Sequence, residues 1–511
     1  MTRNRFGFLL TVVFTLILLS AHSQAEMIET LLLTKGQSDP KKFTNRDIHT
    51  YQLILDKNQF VAGEAIQNGV DVEIIILNSS GSLIDTFNQF SLNKEPFHFK
   101  SKESGSFQMA SASKTFTAFA IAMLADQKKL SLDDDVRKYL TWMPNFGEVI
   151  TLRHLLNHSS GLKDAWNLWE MAGGRYDDIV TQQQIIEIIK NQRELNFKPG
   201  QRFQYNNGAY VLLSEVVSTV TKLKFSTWMT QNIFKPLGMK STLIVDDHQL
   251  IVKQRAYSYE SKYFGMKNLL VNKSFVGAVN VYSTAKDLSL WLRNLHTAEV
   301  GGKQVVKNMH QKSLLNDGSL KNYNLGVFLL KHKGLTKIQQ GGTTAGFKSM
   351  LNYYPEIDAG VIVIGNTPDF NVRSIAHKTA EAFFANDMKI ENETDIPIQI
   401  PGTASQSHEF IPLEEILLKQ QKISSINDFV GTFYSDELNT TYKVVLENNR
   451  LLLKYHRGVF PLNPKEKDSF GLNNDWLLDW DLVFERDKNN KIQLLRLDHD
   501  RAHNVRFKRI D

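Results

Sequence analysis

The hydrophobic pattern of this chain changes period twice, which limits the fold to a mixed α/β body followed by an all-β tail. The early apolar runs, His49 to Leu55 and Val70 to Leu77, are strand-like, and the second closes on the turn cluster Asn78-Ser79-Ser80-Gly81. From Phe116 the spacing turns helical: Phe116, Phe119, Ala120, Met123 and Leu124 share a face, and Gln127-Lys128-Lys129 ends the run. Helical patterns then dominate to about residue 385, punctuated by Lys198-Pro199-Gly200 and Lys235-Pro236-Leu237-Gly238. One hairpin interrupts them, with Ser349 to Tyr354 and Gly360 to Ile364 flanking Pro355-Glu356-Ile357-Asp358. In the tail, Tyr442 to Glu447 and Arg450 to Tyr455 alternate around Asn448-Asn449, and Leu482 to Arg486 and Ile492 to Leu497 repeat the arrangement around Asn489-Asn490. Short strands at that spacing predict a small β-barrel or sandwich.

Composition narrows the chemistry. The 511 residues contain no cysteine, which excludes a disulfide framework, a thiolate metal site, a cysteine nucleophile and a lipid anchor on Cys. The formal charge is +6, but the basic residues are scattered among acidic ones with no run of five like charges. That pattern is a mixed solvated surface, and nucleic acid is not an expected partner.

The amino terminus reads as an export signal over residues 1–25. Arg3 and Arg5 precede the apolar stretch Phe6 to Leu19, and Ser23-Gln24-Ala25 offers small residues for cleavage. The apolar stretch is shorter than the roughly 20 residues needed to span a bilayer, so no permanent membrane anchor is expected. The protein is expected to be exported, periplasmic or secreted, and an exported chain without cysteine suits a bacterial envelope.

Candidate chemistry begins with Ser-x-x-Lys. On a helix, residues three apart share a face, so a lysine amine can reach a serine hydroxyl and take its proton. The pattern starts at Ser38, Ser91, Ser111, Ser160 and Ser283, but only Ser111-Ala112-Ser113-Lys114 opens an apolar helix after a strand-like stretch. A serine at that place can equally cap the helix. His154 and His158, four apart, have the spacing of two zinc ligands but lack the Glu and third ligand of a metalloprotease. Neither Gly-x-Ser-x-Gly nor a phosphate-loop fingerprint is present.

The segment Gln108-Met109-Ala110-Ser111-Ala112-Ser113-Lys114-Thr115-Phe116-Thr117-Ala118 closely resembles the nucleophile segment of the serine β-lactamase and penicillin-binding-protein family, on the class C side. More pieces follow in family order: Leu130 to Asp134, Thr151 to Leu162, Phe197 to Gly200, Phe203 to Gly208 with its Tyr-x-Asn, Phe234 to Met239, and Tyr282 to Leu288. The resemblance covers roughly residues 108 to 370. It implies a two-lobed domain, α/β plus all-α, with an antiparallel sheet flanked by helices. It also implies Ser111 as acylated nucleophile, Lys114 sharing its proton, Tyr205 as base for acylation and acid for the leaving group, and Asn207 orienting substrate. No cofactor and no metal are implied, and His154 and His158 become structural or supporting residues.

The third family motif departs. Where such families carry Lys or His, then a small residue, then Gly, this chain has Gln340-Gly341-Gly342, followed by Thr343. Gly342 keeps the backbone close to substrate, and Thr343 N–H with Ser111 N–H forms the implied oxyanion hole. Gln340 loses a charge that helps to bind a substrate carboxylate and lowers the pKa of Tyr205. The expectation is therefore an esterase- or amidase-like enzyme, acting on a small-molecule or peptide ester or amide, rather than a true β-lactamase. The alternative is a weak or inactive member that binds an envelope ligand or peptide.

Residues 426–511, opening Ile426-Asn427-Asp428-Phe429-Val430-Gly431-Thr432-Phe433-Tyr434, look like the lipocalin-like barrel often appended to this family, either ligand-binding or a docking and stabilising module, with the second favoured. Phe60-Val61-Ala62-Gly63-Glu64 with Gly69-Val70-Asp71-Val72 resembles a β-sandwich module, yet the same stretch must supply the two strands before the nucleophile helix. The expected layout is a signal over 1–25, a β segment over 26–69 (a possible partial sandwich), the hydrolase-like domain over 70–385, a polar linker over 386–425 and the barrel over 426–511.

Overall fold

A computed structural model describes the backbone of strands Leu10–Leu16, Ile28–Leu33, Ile48–Leu55, Val72–Leu77 and Leu83–Gln89, and then residues 105–262, 265–368, 371–389, 426–474 and 477–511. The expected cleavage site at 23–25, the Phe60 to Gly69 part of the sandwich resemblance and residues 390–425 of the linker lie outside the described residues.

A seven-stranded antiparallel sheet forms the frame of the first body, in the order Tyr323–Asn324, Val327–His332, Leu335–Thr344, Phe347–Tyr354, Ala359–Gly365, Val72–Leu77, Leu83–Gln89. Its centre is the expected hairpin around Pro355 to Asp358. Alternation sends side chains to two cores. Met350, Tyr354, Val361 and Val363 pack under helix Val372–Phe383, while Leu351, Tyr353, Ile362 and Ile364 face the main core. Val72–Leu77 pairs with Ala359–Gly365, so the run beginning at Val72 is a strand of this sheet and not of a separate sandwich.

The nucleophile helix, Ser113–Asp126, lies in the main core and is buried all round from Ser113 to Leu124. The apolar spacing marks one face, whereas the opposite side carries Ala118 and Ala122, small enough for neighbouring elements to close on it. Phe116 and Phe119 pack on Trp291 with ring centroids 4.6 and 5.0 Å apart, and Phe116 meets Phe234 edge-on. The helix ends at Gln127, and Lys128 turns the chain away with φ +57°.

The tail is a nine-stranded antiparallel sheet that curls into a nearly closed barrel, running from Gly458–Pro461 at one edge to Asn463–Glu466 at the other. Both Asn-Asn turns close hairpins, with Asn448, Asn449 and Asn490 at positive φ. Its interior is filled by Phe429, Phe433, Tyr442, Trp480 and Phe507 together with Leu168 and Met171, which come from helix Ala165–Met171 of the first body. Tyr442 Oη donates to Met171 O at 2.5 Å, and Lys163 Nζ pairs with Glu437 Oε2 at 3.0 Å, both buried. The barrel therefore packs on the helix that adjoins the candidate site.

Candidate active site

Ser111 sits in a single 3₁₀ turn, Ala110–Ala112, that leads into the nucleophile helix. Ala110 is held at φ +47°, a left-handed conformation that a residue with a Cβ adopts only when its surroundings impose it. The clamp is visible: Ser349 Oγ donates to Met109 O at 2.8 Å, and Met109 N to Val281 O at 2.8 Å. No side chain caps the 3₁₀ turn or the helix after it, so the Ser111 hydroxyl is not spent as a cap.

Lys114, one turn on, is fully buried. Its Nζ lies 2.9 Å from Asn207 Oδ1, 3.0 Å from Ala278 O and 3.3 Å from Ser111 Oγ. Burial is the largest influence on the amine and pushes its pKa well below the usual lysine value; Asp164 opposes this and Arg501 adds to it. A neutral amine has two N–H donors and one lone pair. The two carbonyl oxygens take the donors, which leaves the lone pair for the Ser111 hydroxyl proton. This arrangement fits a base poised on Ser111.

Tyr205 and Asn207 arrive from the start of helix Asn207–Thr221, which shares the main core with the nucleophile helix. Asn206 caps helix Asn207–Thr221 by accepting from Ala209 N, which places Asn207 in the first turn. Asp164, itself the cap of helix Ala165–Met171, accepts from Asn207 N at 2.5 Å and lies 3.3 Å from Asn207 Nδ2, fixing the amide so that its oxygen faces Lys114. Tyr205 is partly buried and hydrogen-bonded to Ser111. Its ring lies under Lys114 Nζ at 4.8 Å and against His158 at 4.3 Å. Burial raises the phenol above its ordinary value, only partly offset by Ser111 and Arg501, so Tyr205 is a neutral O–H here. Burial thus pushes the Lys114 amine down and the Tyr205 phenol up, each toward its neutral form.

The third motif lies on strand Leu335–Thr344. Its neighbour Val327–His332 pairs only as far as Gln339, so Gln340 to Thr344 keep one open edge, which runs beside the nucleophile turn. A Cβ on Gly342 would stand 2.2 Å from Met109 O and 2.7 Å from Ser111 N, which is why glycine is needed there. Thr343 follows on the same edge and is exposed. Gln340 is buried and donates to Ser111 O and Gly341 O, both at 3.2 Å, while its Oε1 is buried without a hydrogen-bond partner. The structure thus brings Ser111, Lys114, Tyr205, Asn207, Gln340 and Gly342 together, with Gln340 turned onto main chain behind the nucleophile.

The two histidines have local tasks. His154 closes a capping box with Thr151, and His158 Nδ1 accepts from Asn206 N at 3.1 Å within a stack of Phe203, Tyr205, Tyr210 and Tyr323. Burial, with Lys114 and Arg501, lowers the His158 pKa strongly.

Several site residues escaped sequence reasoning. Asp164 carried a readable signal, an Asp before a helical run, but nothing tied it to Asn207. Arg501 carried none. It lies on the turn between barrel strands Ile492–His499 and Ala502–Arg509, nine-tenths buried, with Nη1 3.7 Å from Asp164 Oδ2 and its guanidinium carbon 5.8 Å from the Tyr205 ring centre. Beyond it, Lys273 Nζ lies 3.9 Å over the Trp166 ring and 3.2 Å from Thr344 Oγ1. Glu170 is buried nearby; burial raises its carboxyl to about 7 against the opposing pull of Arg501, Arg457 and Lys273.

Comparison with known proteins agrees with this geometry. The Beta-lactamase family model matches residues 99–386, more than half of the chain. The chain is similar to "Penicillin-binding protein 4*" of Bacillus subtilis (strain 168), 27% identical over 281 residues, 52% of this chain and 61% of the relative. It is also similar to a "D-aminopeptidase" of Brucella anthropi, 20% identical over 468 residues, 79% of this chain and 88% of the relative. Against the first few relatives the chain spans little more than half of their length. In three dimensions it resembles an octameric penicillin-binding protein homologue from Pyrococcus abyssi, with TM-score 0.55 at 20% identity, covering 86% of this chain and 95% of that one. With its nucleophile turn, buried lysine and family-ordered motifs in one cleft, the chain belongs to the Beta-lactamase family.

Proposed function

We propose that this protein is an exported serine hydrolase that forms an acyl-enzyme at Ser111 on an ester or amide. One observation carries the reading: a buried Lys114, its pKa pushed well below the usual lysine value, whose Nζ sits between Asn207 Oδ1, Ala278 O and Ser111 Oγ. In the first step Lys114 takes the Ser111 proton while Oγ adds to the substrate carbonyl. Ser111 N–H and Thr343 N–H hold the oxyanion. Tyr205, kept neutral by burial, then gives its proton to the leaving oxygen or nitrogen and is reprotonated from Lys114, and water releases the acyl group by the reverse relay. Hydrolase relatives such as the D-aminopeptidase support the reaction class. Export and a periplasmic or secreted location rest on the amino-terminal pattern; sequencing the amino terminus of protein recovered outside the cytoplasm tests them, with a start after Ala25 expected.

A second reading, a binding protein that hydrolyses little, is favoured by the neutral Gln340. Intact-mass analysis after exposure to a fluorophosphonate, a penicillin and p-nitrophenyl butyrate decides between the two. An adduct lost in Ser111→Ala, with ester turnover, supports the hydrolase; a folded protein that takes no adduct from any reagent overturns it.

A further inference from the structure

We propose that Arg501 is a specificity-determining residue of this site, a cation delivered by the barrel that selects substrates carrying a carboxylate, in place of the charge that Gln340 does not supply. This rests on the serine hydrolase reading and adds to it a substrate class and a role for the tail.

The barrel turn is held against the hydrolase cleft by main-chain contacts, so Arg501 is built into place. Arg501 O accepts from Asp164 N at 2.9 Å and from Asn196 Nδ2 at 3.0 Å. Asn196 Oδ1 in turn accepts from His503 N at 2.9 Å, and Gln204, adjacent to Tyr205, donates to Asp500 O at 3.2 Å. Asp164 therefore connects the substrate-orienting Asn207 to the barrel through one carboxylate and one backbone N–H.

The guanidinium at the end of this clamp is only loosely held by the protein. Asp164 and Asp500 form long ion pairs with it, at 3.7 and 3.3 Å, and its buried Nε has no hydrogen-bond acceptor among the described residues. A buried polar group without partners is rare, because its desolvation goes uncompensated. The planar guanidinium fork matches a carboxylate in both charge and geometry. The surroundings lean the same way: Lys273 and Arg457 also act on Glu170, whose carboxyl, raised to about 7, gives up part of its charge at neutral pH. Trp166 and Tyr176, both packed under Lys273 Nζ, supply apolar walls. Although Gln340 is neutral, a cation thus reaches the site from a different part of the chain.

The test compares matched substrates with and without a carboxylate. One pair differs on the acyl side, p-nitrophenyl hydrogen glutarate against p-nitrophenyl butyrate. The other differs on the leaving side, S-(N-acetylalanyl)thioglycolate against its methyl ester; thiol release is clean to read because the protein contains no cysteine. In at least one pair the intact protein is expected to favour the carboxylate by more than about 10-fold in kcat/KM, mainly through KM. Arg501→Met should reduce that ratio about 10-fold or more, Arg501→Lys should retain part of it, and adding Gln340→Lys to Arg501→Met should restore part of it. The ratio is insensitive to a general loss of activity. If Arg501→Met yields no folded protein, Arg501→Gln takes its place. Ratios within twofold in both pairs, or an unchanged ratio in Arg501→Met, overturn the proposal while the hydrolase reading stands. No turnover and no fluorophosphonate adduct in the folded intact protein overturn both.

Discussion

Lys114 Nζ lies closer to Asn207 Oδ1, at 2.9 Å, than to the Ser111 hydroxyl, at 3.3 Å. The amide thus settles which way the lysine's hydrogens point, and Asp164 settles which way the amide points. The four residues come from three helix starts, so the proton path depends on how those helices are packed together.

Replacing Lys114 by Met removes the proposed base and leaves the apolar packing of the stem. The rate of fluorophosphonate labelling is expected to fall about 10²–10⁴-fold with an unchanged circular dichroism spectrum. In the intact protein that rate should rise with pH as the amine loses its proton, with a midpoint well below the usual lysine value, because burial disfavours the charged form. A midpoint near 10.5 would contradict this electrostatic account.

Gly342→Ala inserts a Cβ where Met109 O and Ser111 N already stand, 2.2 and 2.7 Å away. Both neighbours are backbone atoms, so the strand or the nucleophile turn must move. Overpacking of this kind costs about 1–3 kcal/mol, and a displaced oxyanion donor costs about 10²-fold in rate. Thermal melts and acylation rates should both decline.

The Lys163–Glu437 pair joins the first body to the barrel, with its members 0% and 6% exposed. Glu437→Gln leaves a buried ammonium short of its counter-charge, with Glu194 at 3.8 Å as a weaker substitute. A loss of about 3 kcal/mol in urea unfolding is expected. A change below 0.5 kcal/mol would show that the pair is not what secures the barrel.

His499 is buried in the barrel, and burial, with help from Arg501, lowers its pKa from 6.5 to about 4. The folded chain keeps it neutral while the unfolded chain takes up a proton, so its contribution is fully present above pH 6.5 and is lost as pH falls toward 4. Over that window the single group accounts for about 3 kcal/mol. His499→Asn should flatten the pH dependence of unfolding there relative to the intact protein.

Much of this protein was written locally. The strand–helix–hairpin order, the two Asn-Asn turns, the Ser111-to-Lys114 spacing and the Gly342 requirement follow from side-chain period, turn chemistry and steric size, each set within a few residues. The tertiary structure decided what depends on distant chain segments meeting. Whether Lys114 is charged is a matter of burial. The position of Gln340, turned onto Ser111 O, follows from a strand edge left open where its neighbour ends. The cation beside Tyr205 comes from a barrel turn that no local pattern linked to the cleft. Desolvation and long-range charge act through space, so they become readable only once the chain has folded.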